Sequence, residues 1–322
     1  MKKSIYLFVV LFIYLSGTAA SAQSLADRVV EHTLSNGLTV LMMERHQAPI
    51  ISFQITYKVG SVNEHNGMTG VAHLYEHMAF KGTERLGTSD YQKEKEVLAS
   101  LEALNREIVR EEAKGPESDP ERLKGLREKF EALEREGKQW VVTNELAELY
   151  NRNGSVGFNA STSRDVTSYV VSLPSNRLPL WVAIEADRMA NTVLREFYKE
   201  RNVVLEERRR SVDTNPGGKL YETFLATAFI AHPYGYPTLG WPSDVGSLSA
   251  TETERFFRTY YTPSNTVIAM VGDFKPAEVI PLLEKTFGSI PSAPPPRRSS
   301  RSSRRSWESA GSRWRTRPIR RS

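Results

Sequence analysis

His73, Glu76 and His77 fall within one run of five residues, His73-Leu74-Tyr75-Glu76-His77. On an α-helix, residues three and four apart share a face. Both imidazoles would then stand side by side, with a carboxylate next to them. Neutral imidazoles suit zinc, which takes nitrogen and oxygen donors in a four-coordinate shell. Glu76 is placed to take a proton from a water held by such an ion. The order is the mirror of H-E-x-x-H, the inverted form of the zinc-hydrolase helix motif. The plainer reading of the run is a solvated helix face. A catalytic zinc site needs three protein ligands plus water, so a third donor must come from elsewhere. Glu200-Arg201-Asn202-Val203-Val204-Leu205-Glu206-Glu207 offers one. Glu200 and Glu207 are two turns apart on one face, whereas Glu206 points about a quarter turn away. One same-face glutamate could ligate while the other orients a ligand or water.

Composition sets the frame for this site. The chain has 322 residues, 39% hydrophobic and 25% charged, enough for one large domain or two small ones. It has no cysteine, so any metal must sit on His, Asp or Glu. Residues 1–22 read as a secretory signal: Lys2 and Lys3, an apolar run from Ile5 to Leu15, then Ala20-Ser21-Ala22 before Gln23. The apolar run is short for a membrane span, although an uncleaved anchor is the alternative. The mature protein is expected to be exported, periplasmic or secreted, with no membrane span. Ten arginines and one glutamate lie between Arg297 and Ser322, so the net charge of +5 becomes −4 for the rest of the chain. The basic surplus belongs to that tail, and no nucleic-acid partner is expected.

The elements that must position the site follow from pattern. Val29 to Thr33 and Leu38 to Met43 flank the turn signal Ser35-Asn36-Gly37, which suits a hairpin. Pro49 to Val59 alternates as a strand. A loop from Gly60 to Gly70 delivers the chain to the zinc helix, about Val71 to Phe80. From about Gln92 to Gln139 charged residues carry an apolar seam, interrupted at Gly115-Pro116 to Asp119-Pro120. That spacing predicts two antiparallel helices, a solvated arm or a partner- or substrate-gating one. Val156 to Ser163 and Asp165 to Leu173 read as strands. Helices are expected from Pro174 through Met189, from Glu196 to Arg210, from Lys219 to Ala231, from Thr251 to Tyr261 and from Pro276 to Phe287. A Gly/Pro break covers 213–218, and Asn265 to Val271 is a strand. The order predicts an α+β fold, a mostly antiparallel sheet with helices packed on one face. Rossmann and P-loop glycine signatures are absent.

Several separate runs then add up to a family resemblance. HLYEH at 73–77, GFNASTSRDVTSY at 157–169, ERNVVLEE at 200–207, HPYG at 232–235 and YYTPSNTVIAMVGDF at 260–274 resemble the N-terminal catalytic module of the pitrilysin/insulinase zinc peptidases. That family includes the mitochondrial processing peptidases, and its fold is of the LuxS/processing-peptidase type. The resemblance implies one Zn2+ per chain on His73, His77 and Glu207, Glu76 as the base, and Glu200 as a supporting carboxylate. It also implies that Gly157, Asn159, Ala160 and Ser161 lie on an edge strand that pairs with a peptide substrate, by β-augmentation. The implied module covers 23–290. Glu207 lies 134 positions after His73, a longer gap than the family pattern, and the arm at about 92–140 accounts for it as an insertion.

Family proteases normally add a second homologous module that closes over the peptide; this chain could rely on such a module or a partner subunit. In its place stand Ser292-Ala293-Pro294-Pro295-Pro296 and an Arg/Ser-rich run to 322. That composition suits disorder, and it reads like a truncated or frameshifted end. The expected function is therefore a metalloendopeptidase acting on unstructured peptides. The rival is an inactive half-enzyme or scaffold subunit. His32, His46, His65 and His232 read as structural or solvated. Ser161, Ser163 and Asp165 invite a serine-hydrolase reading, which no G-x-S-x-G elbow supports.

Overall fold

A computed structural model describes residues 25–292. The expected signal segment at 1–22 and nearly all of the expected tail lie outside the described residues. Two strands, β1 (Val30–Thr33) and β2 (Thr39–Glu44), form the hairpin expected around Ser35-Asn36-Gly37. Gly37 takes φ +89°, a left-handed turn conformation that glycine adopts freely. Asn36 donates from Nδ2 to the Phe287 carbonyl at 2.7 Å, anchoring the turn to the end of the fold. Strand β3 (Ile50–Tyr57) precedes α1 (Val71–Met78), the helix expected to carry the metal ligands. The arm follows as α2 (Tyr91–Glu112) and α3 (Pro120–Gly137), then a short α4 (Glu145–Arg152). Strands β4 (Val156–Thr162) and β5 (Thr167–Pro174) lead to α5 (Leu178–Asn191) and α6 (Phe197–Arg208). Helices α7 (Pro216–Ala228), α8 (Pro242–Ser247) and α9 (Ala250–Tyr260), strand β6 (Thr266–Gly272) and α10 (Pro276–Lys285) follow.

The six strands form one sheet in the order β1-β2-β6-β3-β5-β4. Only β2 and β6 pair in parallel; every other neighbour is antiparallel. Period-2 alternation decides which face is covered. Ile51, Phe53, Ile55 and Tyr57 on β3, and Tyr169, Val171 and Leu173 on β5, are buried under helices. Trp181 of α5 stacks on Phe53 with ring centroids 4.1 Å apart. The opposite face is polar: Ser52 and Ser172 hydroxyls meet at 2.8 Å, and Thr56 and Ser168 at 3.0 Å. This is the α+β sheet with helices on one face that the pattern predicts. A sheet solvated on its other side is a common antiparallel solution.

Three local features depart from expectation. Helix α7 begins at Pro216, inside the expected break, because Asn215 accepts from the Gly217 and Gly218 amides while Pro occupies a first-turn position that needs no donor. Helix α4 starts behind Asn144 in the left-handed region (φ 60°) with no side-chain cap, so it carries no start signal. The arm is also less detached than a solvated hairpin: Phe130 packs edge-on against Tyr198 of α6 at 5.0 Å. Buried Arg195, just before α6, holds Glu94 of α2 at 2.8 Å. Among the described residues, no helix is long and apolar enough to cross a membrane.

Candidate metal centre

The centre is built on α1, and α1 is built by its surroundings. Its eight residues are too few to be stable alone, but seven of them are buried. Its N-terminal amides have no partner within the helix. Glu64 supplies one, accepting from the Gly70 and Ala72 amides at 2.8 Å each. Burial is the leading influence on Glu64 and pushes its carboxyl up to about 8. Asp244 pins the preceding loop through Thr69 Oγ1 at 2.7 Å. Gly70 (φ +88°) sits where an added Cβ would come 2.9 Å from the Gly240 Cα, so this entry turn admits only glycine.

Helical spacing then sets the two imidazoles together, with ring centroids 4.7 Å apart. Glu207 reaches them from α6: its Oε2 lies 3.8 Å from His73 Nε2 and 3.4 Å from His77 Nε2. The three donor atoms fall within 4.8 Å of one another, the only such group of three or more among the described residues. His73 is buried, and its side chain is 10% exposed against 37% for Glu207, so the group opens to solvent past the carboxylate. Burial, then the neighbouring His77, lowers His73 to about 4, which keeps it a neutral donor at physiological pH. Its Nδ1 is buried without a hydrogen-bond partner, so no acid stands behind that ring.

His77 is held differently. Its Nδ1 lies 2.9 Å from Glu200 Oε1, which favours the tautomer that leaves Nε2 free to coordinate. Burial would lower His77, but the hydrogen bond and charge of Glu200, with Glu207 and Glu76, outweigh it and hold the ring above its ordinary value. The His77 hydrogen bond, opposed by burial and reinforced by Lys81, draws Glu200 down to about 2. Lys81 Nζ stands 2.7 Å from Glu200 Oε2 and 3.4 Å from Glu196. Two imidazoles and one carboxylate within 4.8 Å, one ring oriented by a second carboxylate, fit a zinc ion by donor type and number.

Glu76 lies beside this group. Its Oε2 accepts from Thr162 Oγ1 at 2.6 Å. Burial raises Glu76, with Thr162 and His77 opposing and Glu207 adding to the rise. Thr162 ends β4, the outermost strand, with Phe158 and Ala160 on the same partly buried face. Gly157, Asn159, Ala160 and Ser161 lie along that strand. Asn159, Ala160 and Ser161 pair with β5 on one side, and the other edge of β4 has no neighbouring strand among the described residues. The residue of this strand that touches Glu76 is Thr162, beyond the expected set. Lys81 also escaped expectation, although it stands four residues after His77 and the spacing alone points to it.

The other polar residues have local uses. His32 meets Glu284 at 3.2 Å, His46 meets Asp273 at 2.7 Å, His65 meets the Asn66 carbonyl at 2.9 Å, and His232 accepts from the Tyr234 amide at 3.2 Å. Ser163 accepts from the Asp165 and Val166 amides as a turn, and Asp165 accepts from Tyr234 Oη at 2.6 Å. Those contacts are structural, with no histidine between Ser163 and Asp165 as a triad needs.

Comparison with known proteins identifies the family. The family model described as Insulinase (Peptidase family M16) matches residues 39–107 and 115–241, and that described as Peptidase M16 inactive domain matches 247–309. The chain is 29% identical over 293 residues to the zinc protease PqqE of Helicobacter pylori, covering 90% of this chain and 53% of that protein. It is 27% identical over 261 residues to the mitochondrial-processing peptidase subunit beta of Lentinula edodes, covering 80% and 44%. A crystal structure of a protease from Helicobacter pylori superposes with a TM-score of 0.64 at 28% identity, covering 84% of this chain and 53% of that one. The chain thus spans about half the length of the curated relatives it matches.

Proposed function

Since the chain belongs to the insulinase family of M16 peptidases, we propose that it is the catalytic module of an exported zinc metalloendopeptidase that hydrolyses unstructured peptides. The observation that carries this reading is the convergence of His73, His77 and Glu207 within 4.8 Å, with Glu76 alongside. His73, His77 and Glu207 would hold the ion, and Glu200 fixes the ring of His77. Zinc bound there would supply Lewis acidity, of the kind that lowers the pKa of water to near 7. Glu76 takes the proton of the attacking water and passes it to the leaving amine. Thr162 keeps the Glu76 carboxylate turned to that task and stabilises its ionised form. The open edge of β4 binds the peptide backbone as an added strand, with Asn159, Ala160 and Ser161 beside it.

Export rests on the signal-like segment at 1–22, and fractionation of expressing cells tests it. The half-length match supports a second reading, in which the module needs a homologous second module to act. One experiment separates these readings. Zinc stoichiometry is measured first, then cleavage of a quenched unstructured peptide with and without chelator. Chelator-sensitive cleavage, lost in Glu76→Gln while zinc stays bound, is the expected result. Cleavage retained in Glu76→Gln would refute the assignment of the base. Zinc without cleavage favours dependence on a second module, and absence of zinc favours a scaffold.

A further inference from the structure

Two residues beyond Thr162, the β4–β5 turn carries Arg164. Its carbonyl accepts from the Val62 amide at 2.9 Å, which ties the turn to the loop leading into α1. Its guanidinium lies over two aromatic faces, 5.8 Å from the Tyr221 ring of α7 and 5.9 Å from the Tyr234 ring. Its one hydrogen bond runs from Nε to the Tyr234 carbonyl at 3.4 Å. Among the described residues no carboxylate forms an ion pair with it. The adjacent Asp165 instead accepts from Tyr234 Oη. The terminal nitrogens of a half-buried arginine are thus left without a partner, in contrast to Arg188, Arg195 and Arg208, which spend theirs on buried acids and carbonyls.

The surroundings of Arg164 are also unusual. On α7, Leu220 is 72% exposed, Tyr221 58% and Phe224 62%, an apolar face with no covering element among the described residues. Buried Arg208 holds this helix to α6, with Glu222 at 2.7 Å, so the apolar face stands at a set place relative to Glu207. An extended peptide on β4 advances about 3.3 Å per residue. Past Thr162, where β4 ends, two further residues of extended peptide span roughly 7 Å, toward the turn that carries Arg164.

We infer that Arg164, cradled by Tyr221 and Tyr234, forms a subsite that receives an acidic side chain of the bound peptide, with the exposed face of α7 as its apolar floor. The inference rests on the peptide-binding reading above and adds its specificity. The planar guanidinium fork suits a carboxylate bidentately. Stacking on tyrosine holds the fork in place while leaving its terminal N–H groups free. A lysine at the same peptide position would meet like charge.

The test uses the zinc-loaded full chain carrying Glu76→Gln, so that peptides bind without turnover. The probes are fluorescein-labelled unstructured peptides in which one Glu, Gln or Lys is walked through each position. Anisotropy at low salt is expected to find one position where Glu binds roughly fivefold to tenfold tighter than Gln, in line with the net contribution of one hydrogen bond. Adding Arg164→Gln should bring that ratio to about one, and Arg164→Glu should make Lys the preferred residue at the same position. A Glu preference that survives Arg164→Gln overturns the subsite, as does the absence of any position with such a preference among peptides that bind. Equal weakening of all three peptides would show that Arg164 only braces the turn, and it overturns the subsite too. If no peptide binds, including the neutral Gln series, the peptide-binding reading itself fails and the subsite with it.

Discussion

Replacing Glu200 by Gln isolates what the carboxylate behind His77 does. The amide oxygen can still accept from His77 Nδ1, so the ring keeps its orientation and loses only the negative charge. In the native chain that charge sits 2.9 Å from Nδ1 and the Glu200 side chain is 12% exposed, so solvent screens it poorly. Loss of such a partner typically costs 10–100-fold in metal affinity, about 1.4–2.7 kcal/mol. A second effect has the opposite sign. Glu200 raises His77 above its ordinary 6.5, so near pH 6 zinc must first displace a proton from that ring. The variant lowers the proton affinity along with the metal affinity. The native advantage should therefore appear in full at pH 8 and be partly masked at pH 6. Competition titrations against a chromophoric zinc chelator at both values measure it. A ratio near one at pH 8, or a ratio larger at pH 6 than at pH 8, would refute the reasoning. The metal-free proteins give an independent check by linkage. His77, raised, contributes stability below 6.5 that fades as pH climbs through its folded value. Glu200, lowered to about 2, contributes stability above 4.5 that fades as pH falls toward that value. The pair is therefore strongest between about 4.5 and 6.5, and melting of the apo forms should differ most there.

Two further outcomes follow from the same contacts. Thr162→Val keeps the β-branched shape but removes the hydroxyl 2.6 Å from Glu76. A hydrogen bond to a charged group contributes about 1.5–3 kcal/mol, so the acid limb of kcat/KM should move up by roughly one to two pH units while zinc affinity holds; an unmoved limb would contradict the role of Thr162. Zinc binding near pH 6 should release roughly one proton, from His77, because His73 at about 4 is already neutral. Calorimetry in buffers of different ionisation enthalpy counts it, and two protons would place His73 wrongly.

Much of this site could be read before any coordinates, because helical spacing is a local property. His73, Glu76 and His77 needed only the 3.6-residue period, and so did the shared face of Glu200 and Glu207. Which glutamate ligates was not readable from spacing, since both stand on that face. The distinction is three-dimensional: Glu207 Oε2 faces both Nε2 atoms, while Glu200 lies behind His77 at Nδ1. Thr162 was invisible for a similar reason, because its contact with Glu76 depends on β4 being the outermost strand beside α1. Glu64 caps α1 across a glycine-rich loop rather than from the N-cap position, where sequence rules look for it. The strand pattern transferred well because burial alternates as the residues do. Helices α4 and α8 were missed because they are short, with no capping side chain and no long apolar period.

The central claim is spatial: a carboxylate 134 positions from His73 completes one ion site with two imidazoles on α1. Metal analysis of the desalted full chain, native beside Glu207→Ala, tests it most directly. One zinc per native chain and close to none in the variant is the expected result, with the fold intact by circular dichroism. A native chain that carries no zinc, or a Glu207→Ala chain that keeps its full complement, would contradict it.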